Sequence, residues 1–294
     1  MTDFPIYIDN SMLSAFKACP RKFQLSYIQH YKPVDESIHL VAGGAIAHGL
    51  ERWRKSVSEG HDATPGGLAE RQGLIAMWTY LHEMDPFGRL EESPKHSMAL
   101  AAALCLYFHD FPILTDGEMV GVEFSFAHPF GPFLYVGRLD LVQRAQGMTF
   151  GVDEKTTSMF GPTWAKQWDL RAQFTGYTWA MAEQGLKLDG FKVRGIKIGK
   201  YECETLQTIV YKTAYEIEEW KQTTDYFIGQ IVECEKAGYY PQNLDHSCSS
   251  YSGCEFCEVC RTTGETRQRI LDTRFTRRKW DPVARTANTL VNDA

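Results

Sequence analysis

Between residues 119 and 154 the chain carries three β-type runs, 119–127, 133–143 and 148–154, parted only by Pro129…Gly131-Pro132 and by Gly147. Breaks this short leave room for hairpin turns and nothing longer, so the segment is a meander of three antiparallel strands. Chemistry-bearing residues sit on it. Asp140 lies near the end of the second strand, and Asp153-Glu154-Lys155 closes the third, thirteen residues after Asp140. Strand side chains alternate, so Asp153 and Lys155 share a face and Glu154 points to the other, leaving its main-chain carbonyl between them. Neighbouring strands lie about 5 Å apart, so Asp140 and Asp153 can reach one cation.

Two strand-borne carboxylates suit Mg²⁺ or Mn²⁺, which prefer oxygen ligands and fixed geometry. A cation there, with a lysine beside it, supplies what phosphodiester hydrolysis needs: offset of the phosphate charge, an activated water and a stabilised leaving oxygen.

Around the meander the pattern is mostly helical. A helix is expected from Ser11 as N-cap, with Leu13, Phe16, Cys19, Phe23 and Tyr27 on one side and Pro20 kinking or dividing it. Gly43-Gly44 reads as the break before a helix over 45–57 that carries His48. Further helices are expected at 68–84 and 94–109, joined through Asp85-Pro86-Phe87-Gly88, and at 168–184, closed by Gly185. Strands at 191–200 and 206–212 and a helix over 213–237, ended by Gly238, follow. The expected fold is therefore α/β, one domain over 1–294: a helical part to residue 112, a core over 113–238 and an extension over 239–294.

The chain has 294 residues, 44% hydrophobic and 23% charged, as an ordinary globular protein does. No run of eighteen uncharged apolar residues exists to cross a membrane, and no secretory leader is visible, so a reducing cytoplasm is the expected compartment. Net charge is −6, yet two stretches are basic. One runs from Arg261 to Arg285, with Arg267, Arg269, Arg274, Arg277, Arg278 and Lys279; the other holds Lys17, Arg21, Lys22 and Lys32. Together they are candidates for a groove that tracks phosphates. No phosphate-binding G-x-x-x-x-G-K-[ST] loop is present, so helicase action would need a partner.

Eight cysteines occur, and Cys248, Cys254, Cys257 and Cys260 fall within thirteen residues, which points to metal rather than disulfides. A local Zn²⁺ site on those four is one possibility. Cys105, Cys203 and Cys234 read as buried small apolar residues.

His48, Glu123, Gly137-Arg138-Leu139-Asp140, Asp153-x-Lys155 and Gln173-x-x-x-Tyr177, in that order and spacing, resemble the RecB-like branch of the PD-(D/E)XK nuclease superfamily. Arg138 stands where that family usually has an apolar residue. The resemblance implies a restriction-endonuclease-like core acting on DNA, single-stranded or with free ends. It implies metal binding by His48, Asp140, Asp153 and the Glu154 carbonyl, catalysis by Lys155, and substrate contacts from Gln173 and Tyr177. Glu123 matches an acid often found on the strand before the Asp140 motif. Relatives of the AddB, CRISPR-adaptation and phage exonuclease types hold a [4Fe–4S] cluster. By that resemblance Cys19, in Cys19-Pro20-Arg21-Lys22-Phe23, would join Cys248, Cys254 and Cys260, with Cys257 as an alternate. Closing so long a loop would contribute roughly 5 kcal/mol on a chain-entropy estimate. The implied function is a metal-dependent DNA exonuclease of recombination, repair or phage DNA processing, with a helicase or recombination protein as possible partner. A spacer-trimming nuclease and a catalytically idle nucleic-acid-binding protein of the same fold are the alternatives.

Overall fold

The computed structural model describes residues 5–35, 37–249, 253–280 and 289–290. A mixed sheet runs through its centre in the order β7 (Cys203–Val210), β6 (Gly190–Ile198), β5 (Met148–Thr157), β4 (Phe133–Ala145), β3 (Glu118–Phe130), β9 (Thr289–Leu290). The meander β3–β4–β5 is antiparallel, as the short breaks require. Helix α6 (Ala172–Glu183) then crosses over to β6, which pairs parallel with β5. Both faces of β6 are covered, and its near-continuous burial reflects that position.

Alternation along the strands divides the core into two layers. Phe191 and Val193 face α1 (Asn10–Ala18), α6 and α7 (Ala214–Ala237), packing with Met12, Phe16, Phe174 and Trp220. Ile196 and Ile198 face α3 (Ile38–Ser58), α4 (Leu68–Met84) and α5 (Ser97–Asp110), with Ile46, Trp53, Met77 and Leu104. This is the mixed sheet flanked by helices of a restriction-endonuclease-like fold. No helix among the described residues is long and apolar enough to cross a membrane.

Several local expectations change. Asp9, not Ser11, caps α1: its backbone is extended and its carboxylate accepts from the Met12 amide at 2.8 Å. Pro20 does divide the segment, because α1 ends at Ala18 and a second short helix, α2 (Pro20–Phe23), starts on the proline. Gly43 and Gly44 lie inside α3 rather than before it. They permit close approach: a Cβ on Gly44 would stand 2.3 Å from the Tyr80 hydroxyl of α4. Cys105 is exposed, since Leu104, Tyr107 and Phe108 turn the other side of α5 to the core, and Cys203 and Cys234 are only half-buried.

The C-terminal segment folds against the N-terminal one. Beyond the single turns α8 (His246–Ser249) and α9 (Cys257–Cys260), α10 (Gly264–Arg274) leads into β8 (Phe275–Arg277), which pairs with β2 (Tyr31–Pro33). Leu25, Tyr31, Phe256, Val259, Leu271 and Phe275 form a small core of their own there. Arg285, the end of the basic stretch, lies outside the described residues.

Candidate active site and cysteine pocket

Strands β4 and β5 stay paired only from Ala145↔Met148 to Leu141↔Val152. Beyond that point β4 keeps β3 on one side and receives β1 (Tyr7–Ile8) on the other, while β5 goes on pairing with β6 through Thr157. The hairpin therefore forks, and the next residue of each arm is Asp140 and Asp153. Across β4, Glu123 lies between the pairs Val122↔Leu141 and Phe124↔Leu139, level with Asp140. Glu123 has φ of 52°, the left-handed region that few residues other than glycine adopt. Strain of this kind persists where surrounding structure enforces it, commonly at functional sites.

Helix α3 roofs the fork. A cavity of about 300 Å³ is lined by His48, Glu51, Glu123, Arg138, Asp140 and Lys155, with Arg54 and Glu154 at its inner wall. His48 Nδ1 bonds the Gly44 carbonyl at 2.9 Å, and the ring stacks on Tyr80 at 4.2 Å. A carbonyl only accepts, so Nδ1 carries the proton and the neutral ring's lone pair is on Nε2. This is the tautomer of a metal-binding histidine with an oriented ring.

The acids differ sharply in their partners. Asp153 accepts from Gln173 Nε2 at 3.0 Å and pairs with Lys155 Nζ at 2.6 Å. Burial pushes its carboxyl up, and the Lys155 charge offsets part of that. Burial works against the Lys155 ammonium, but Asp153 holds it above the ordinary lysine range, so Lys155 is charged. Glu154 turns to the other layer, where Arg54 and the Tyr107 hydroxyl, at 2.6 Å, both donate to it. Burial raises Glu154, yet the Arg54 charge beside it brings it below the usual carboxylate value. The pair is almost dry, with side chains 1% and 7% exposed. Glu123 pairs with Arg138 Nε at 2.7 Å, and burial nonetheless pushes its carboxyl up to about 7. Asp140 alone of these acids has neither hydrogen bond nor ion pair among the described residues. Burial, then the charges of Asp153, Glu154 and Glu123, drive its pKa well above the ordinary value.

The structure thus brings His48, Glu123, Asp140, Asp153, Glu154 and Lys155 together. Gln173 reaches this group through Asp153. Tyr177 is buried beneath it, packing edge-on against Phe126 at 5.0 Å. Two carboxylates and an imidazole nitrogen fit a hard divalent cation in donor chemistry. They do not converge as a finished cage: among the described residues no three His, Cys, Asp or Glu side chains are so arranged. Asp153 is turned to Lys155 and Gln173, and Glu123 to Arg138.

Glu51 was not singled out from the sequence, although it follows His48 by three positions on a helix and so shares its face. Arg54 and Tyr107 are a different matter. They meet Glu154 from 100 and 47 residues away, and no local spacing marks them.

The cysteines gather at the other end of α1. Cys19, Cys248, Cys254, Cys257 and Cys260 line one cavity of about 300 Å³. The Asn243 amide donates to the Cys19 sulfur at 3.4 Å, and the Cys257 thiol to the Cys248 carbonyl at 3.4 Å. Four thiolates from this group suit Zn²⁺ or an iron–sulfur cluster by donor chemistry.

The model of the PD-(D/E)XK nuclease superfamily matches residues 10–261, a span that includes every residue of both sites. No curated protein matches the chain. Among solved structures, a protein from Eubacterium rectale provisionally described as an exonuclease aligns over 87% of this chain and 87% of its own, at 13% identity and a TM-score of 0.55, a likeness of fold. SSO0001 aligns over 85% of this chain and 94% of its own at 13% identity, with a TM-score of 0.32 that carries no argument.

The contrast between Asp140 and Glu154 has opposite consequences for stability. Asp140 has a raised folded pKa, so its ionisation costs stability as pH rises through that value. In urea denaturation at neutral pH with chelator present, Asp140→Asn is expected to stabilise by about 1–2 kcal/mol, a gain that shrinks on acidification. Glu154→Ala strands a buried guanidinium and is expected to cost about 3–5 kcal/mol. Losses of equal size in both variants would contradict this charge assignment.

Proposed function

We propose that this chain, which belongs to the PD-(D/E)XK nuclease superfamily, is a Mg²⁺- or Mn²⁺-dependent deoxyribonuclease, an exonuclease rather than an endonuclease, acting in recombination, repair or phage DNA processing in the cytoplasm. The observation that carries the reading is the fork between β4 and β5, which sets Asp140, without a partner among the described residues, beside Asp153 and a charged Lys155. Asp140 and Asp153 are the residues that would hold the cation, with His48 Nε2 and the main-chain carbonyl of Glu154. A divalent ion bound there would offset the phosphodiester charge and lower the pKa of a coordinated water. Lys155 supplies a fixed positive charge against the charge that develops on the phosphate oxygens. Gln173 orients Asp153 through its 3.0 Å hydrogen bond, and Tyr177 supports the site from beneath by packing on Phe126 of β3. Arg54 and Tyr107 clamp Glu154, which keeps the strand carrying Asp153 and Lys155 from shifting.

The substrate reading draws on the molecule's large cleft, of about 1100 Å³, between the N-terminal helices and the cysteine lobe. Lys22, Lys32, Arg278 and Lys279 line it together with Tyr27 and Trp280, so phosphate-attracting charge alternates with rings on which bases can stack. The β2–β8 pairing joins the two basic stretches there. His39 and Leu40 of α3 also line the cleft, and Gly43 and His48, one to two turns on, line the active-site cavity. A single strand lying in the cleft would lead to the fork, which suits an enzyme that works from DNA ends. The Eubacterium rectale neighbour, described as an exonuclease, agrees with this preference.

The cysteine pocket is proposed to hold a [4Fe–4S] cluster on Cys19, Cys248, Cys254 and Cys260, with Cys257 as an alternate. Five thiols around one small cavity, and an amide donating to the Cys19 sulfur, support this assignment. Its role is structural: it ties the basic C-terminal lobe to α1, on one side of the cleft.

With Mn²⁺ and end-labelled linear or circular DNA, wild type is expected to degrade linear substrates and spare circles. Asp153→Ala and Lys155→Ala should each lower the rate by at least about two orders of magnitude; unchanged rates in both variants would remove the assignment. Protein purified without oxygen should be brown and contain about four iron atoms per chain. One zinc per chain and no visible absorbance would replace the cluster with the local Zn²⁺ site.

A further inference from the structure

The charges around the fork are matched one to one, with a single exception. Glu51 pairs with Lys55 at 2.6 Å, Glu123 with Arg138 at 2.7 Å, Asp153 with Lys155 at 2.6 Å, and Glu154 with Arg54. Asp140, in the middle of them, has no cation of its own among the described residues. The deficit is one ligand position's worth of positive charge, centred on Asp140 and the neighbouring Asp153.

Arg138 is the unexpected member of this set. It stands two residues before Asp140 on β4, so the two share a strand face. The side chain is 30% exposed while the carboxylate it grips is 10% exposed, so the guanidinium closes over Glu123 from the solvent side. It also lies within electrostatic reach of Glu51, the other acid of α3's cavity-facing side. With His48 nearby, Glu51 and Glu123 would otherwise make a second set of hard donors facing the same cavity.

We propose that Arg138 is a built-in second cation: its guanidinium fills the Glu123–Glu51 pocket and limits this chain to one divalent ion at Asp140 and Asp153. The inference deepens the metal-dependent reading above and rests on it. A second ion at Glu123 would have to break the 2.7 Å ion pair with Arg138 in a largely desolvated place and leave Arg138 without its partner. Neutralising Arg138 removes that barrier and restores a carboxylate that needs a counter-ion.

Counting bound Mn²⁺ tests this without recourse to activity. The full-length protein is titrated with Mn²⁺ alone, and free ion is followed by electron paramagnetic resonance. Wild type and Arg138→Lys, which keeps the charge, are expected to bind one ion per chain. Arg138→Leu and Arg138→Gln are expected to bind two, and Arg138→Leu/Glu123→Gln to return to one. Because Gln keeps a polar side chain in place, the pair of neutral variants guards against a folding defect in either. One ion in wild type and in both neutral variants overturns the role of Arg138 and leaves the metal-dependent reading standing. Two ions in wild type also overturn it. No ion in wild type overturns both.

Discussion

Crowding of carboxylates where two strands part is the constraint on which the rest of this structure depends. A paired hairpin would have buried or splayed these residues in regular alternation. Instead β4 and β5 separate after Leu141↔Val152, and Asp140, Asp153 and Glu123 are left level with one another across three strands. Burial first, and then the repulsion of like charges at such spacing, drives the pKa of Asp140 upward. The surrounding fold reads as a device for tolerating it. Arg54, Arg138 and Lys155 reach in from α3, β4 and β5 to offset the charge, each committed to one acid.

The commitments are not equivalent. Arg54 and Glu154 form a dry pair, tied through the Tyr107 hydroxyl to Arg194 and from there to Asp116 at the far side of the layer. A buried network of this kind is costly to break and adds little if replaced as a unit by apolar side chains. Its value is positional, because it fixes the middle residue of Asp153-Glu154-Lys155 and hence the faces of the other two. Lys155, by contrast, lines the cavity with its side chain 29% exposed, and it holds the buried Asp153 in an ion pair that substrate and cation can rearrange.

Much of this was legible in the sequence, for reasons that are local. The hairpin breaks at Gly131-Pro132 and Gly147 dictate the meander, and period two separates Asp153 and Lys155 from Glu154. Helix α7 begins and ends where its caps stand, Thr213 accepting from the Glu216 amide and Gly238 adopting a left-handed turn. The misreadings have local causes too. Gly43-Gly44 looked like a break because glycine disfavours helix, and packing against Tyr80 overrode that preference. Asp9 outcompeted Ser11 as cap by lying one residue before the first turn. What could not be read were partners distant in the chain: Arg54 and Tyr107 on Glu154, the fork created by β1 taking β4's edge, and Lys32 beside Thr276 in the β2–β8 ribbon. Resemblance supplied His48, Gln173 and Tyr177 as candidates. Only the fold shows that Gln173 acts on Asp153 and that Tyr177 lies beneath the site.

On this reading the fork is short of one cation. Thermal unfolding of the metal-free protein with and without Mn²⁺ tests it most directly, at a pH near 8 and again near 5, where raised carboxyl groups take up protons. Mn²⁺ is expected to raise the midpoint by several degrees at the higher pH, little at the lower, and not at all in Asp140→Asn at either. An equal shift in Asp140→Asn and wild type, or no shift in wild type at the higher pH, would contradict it.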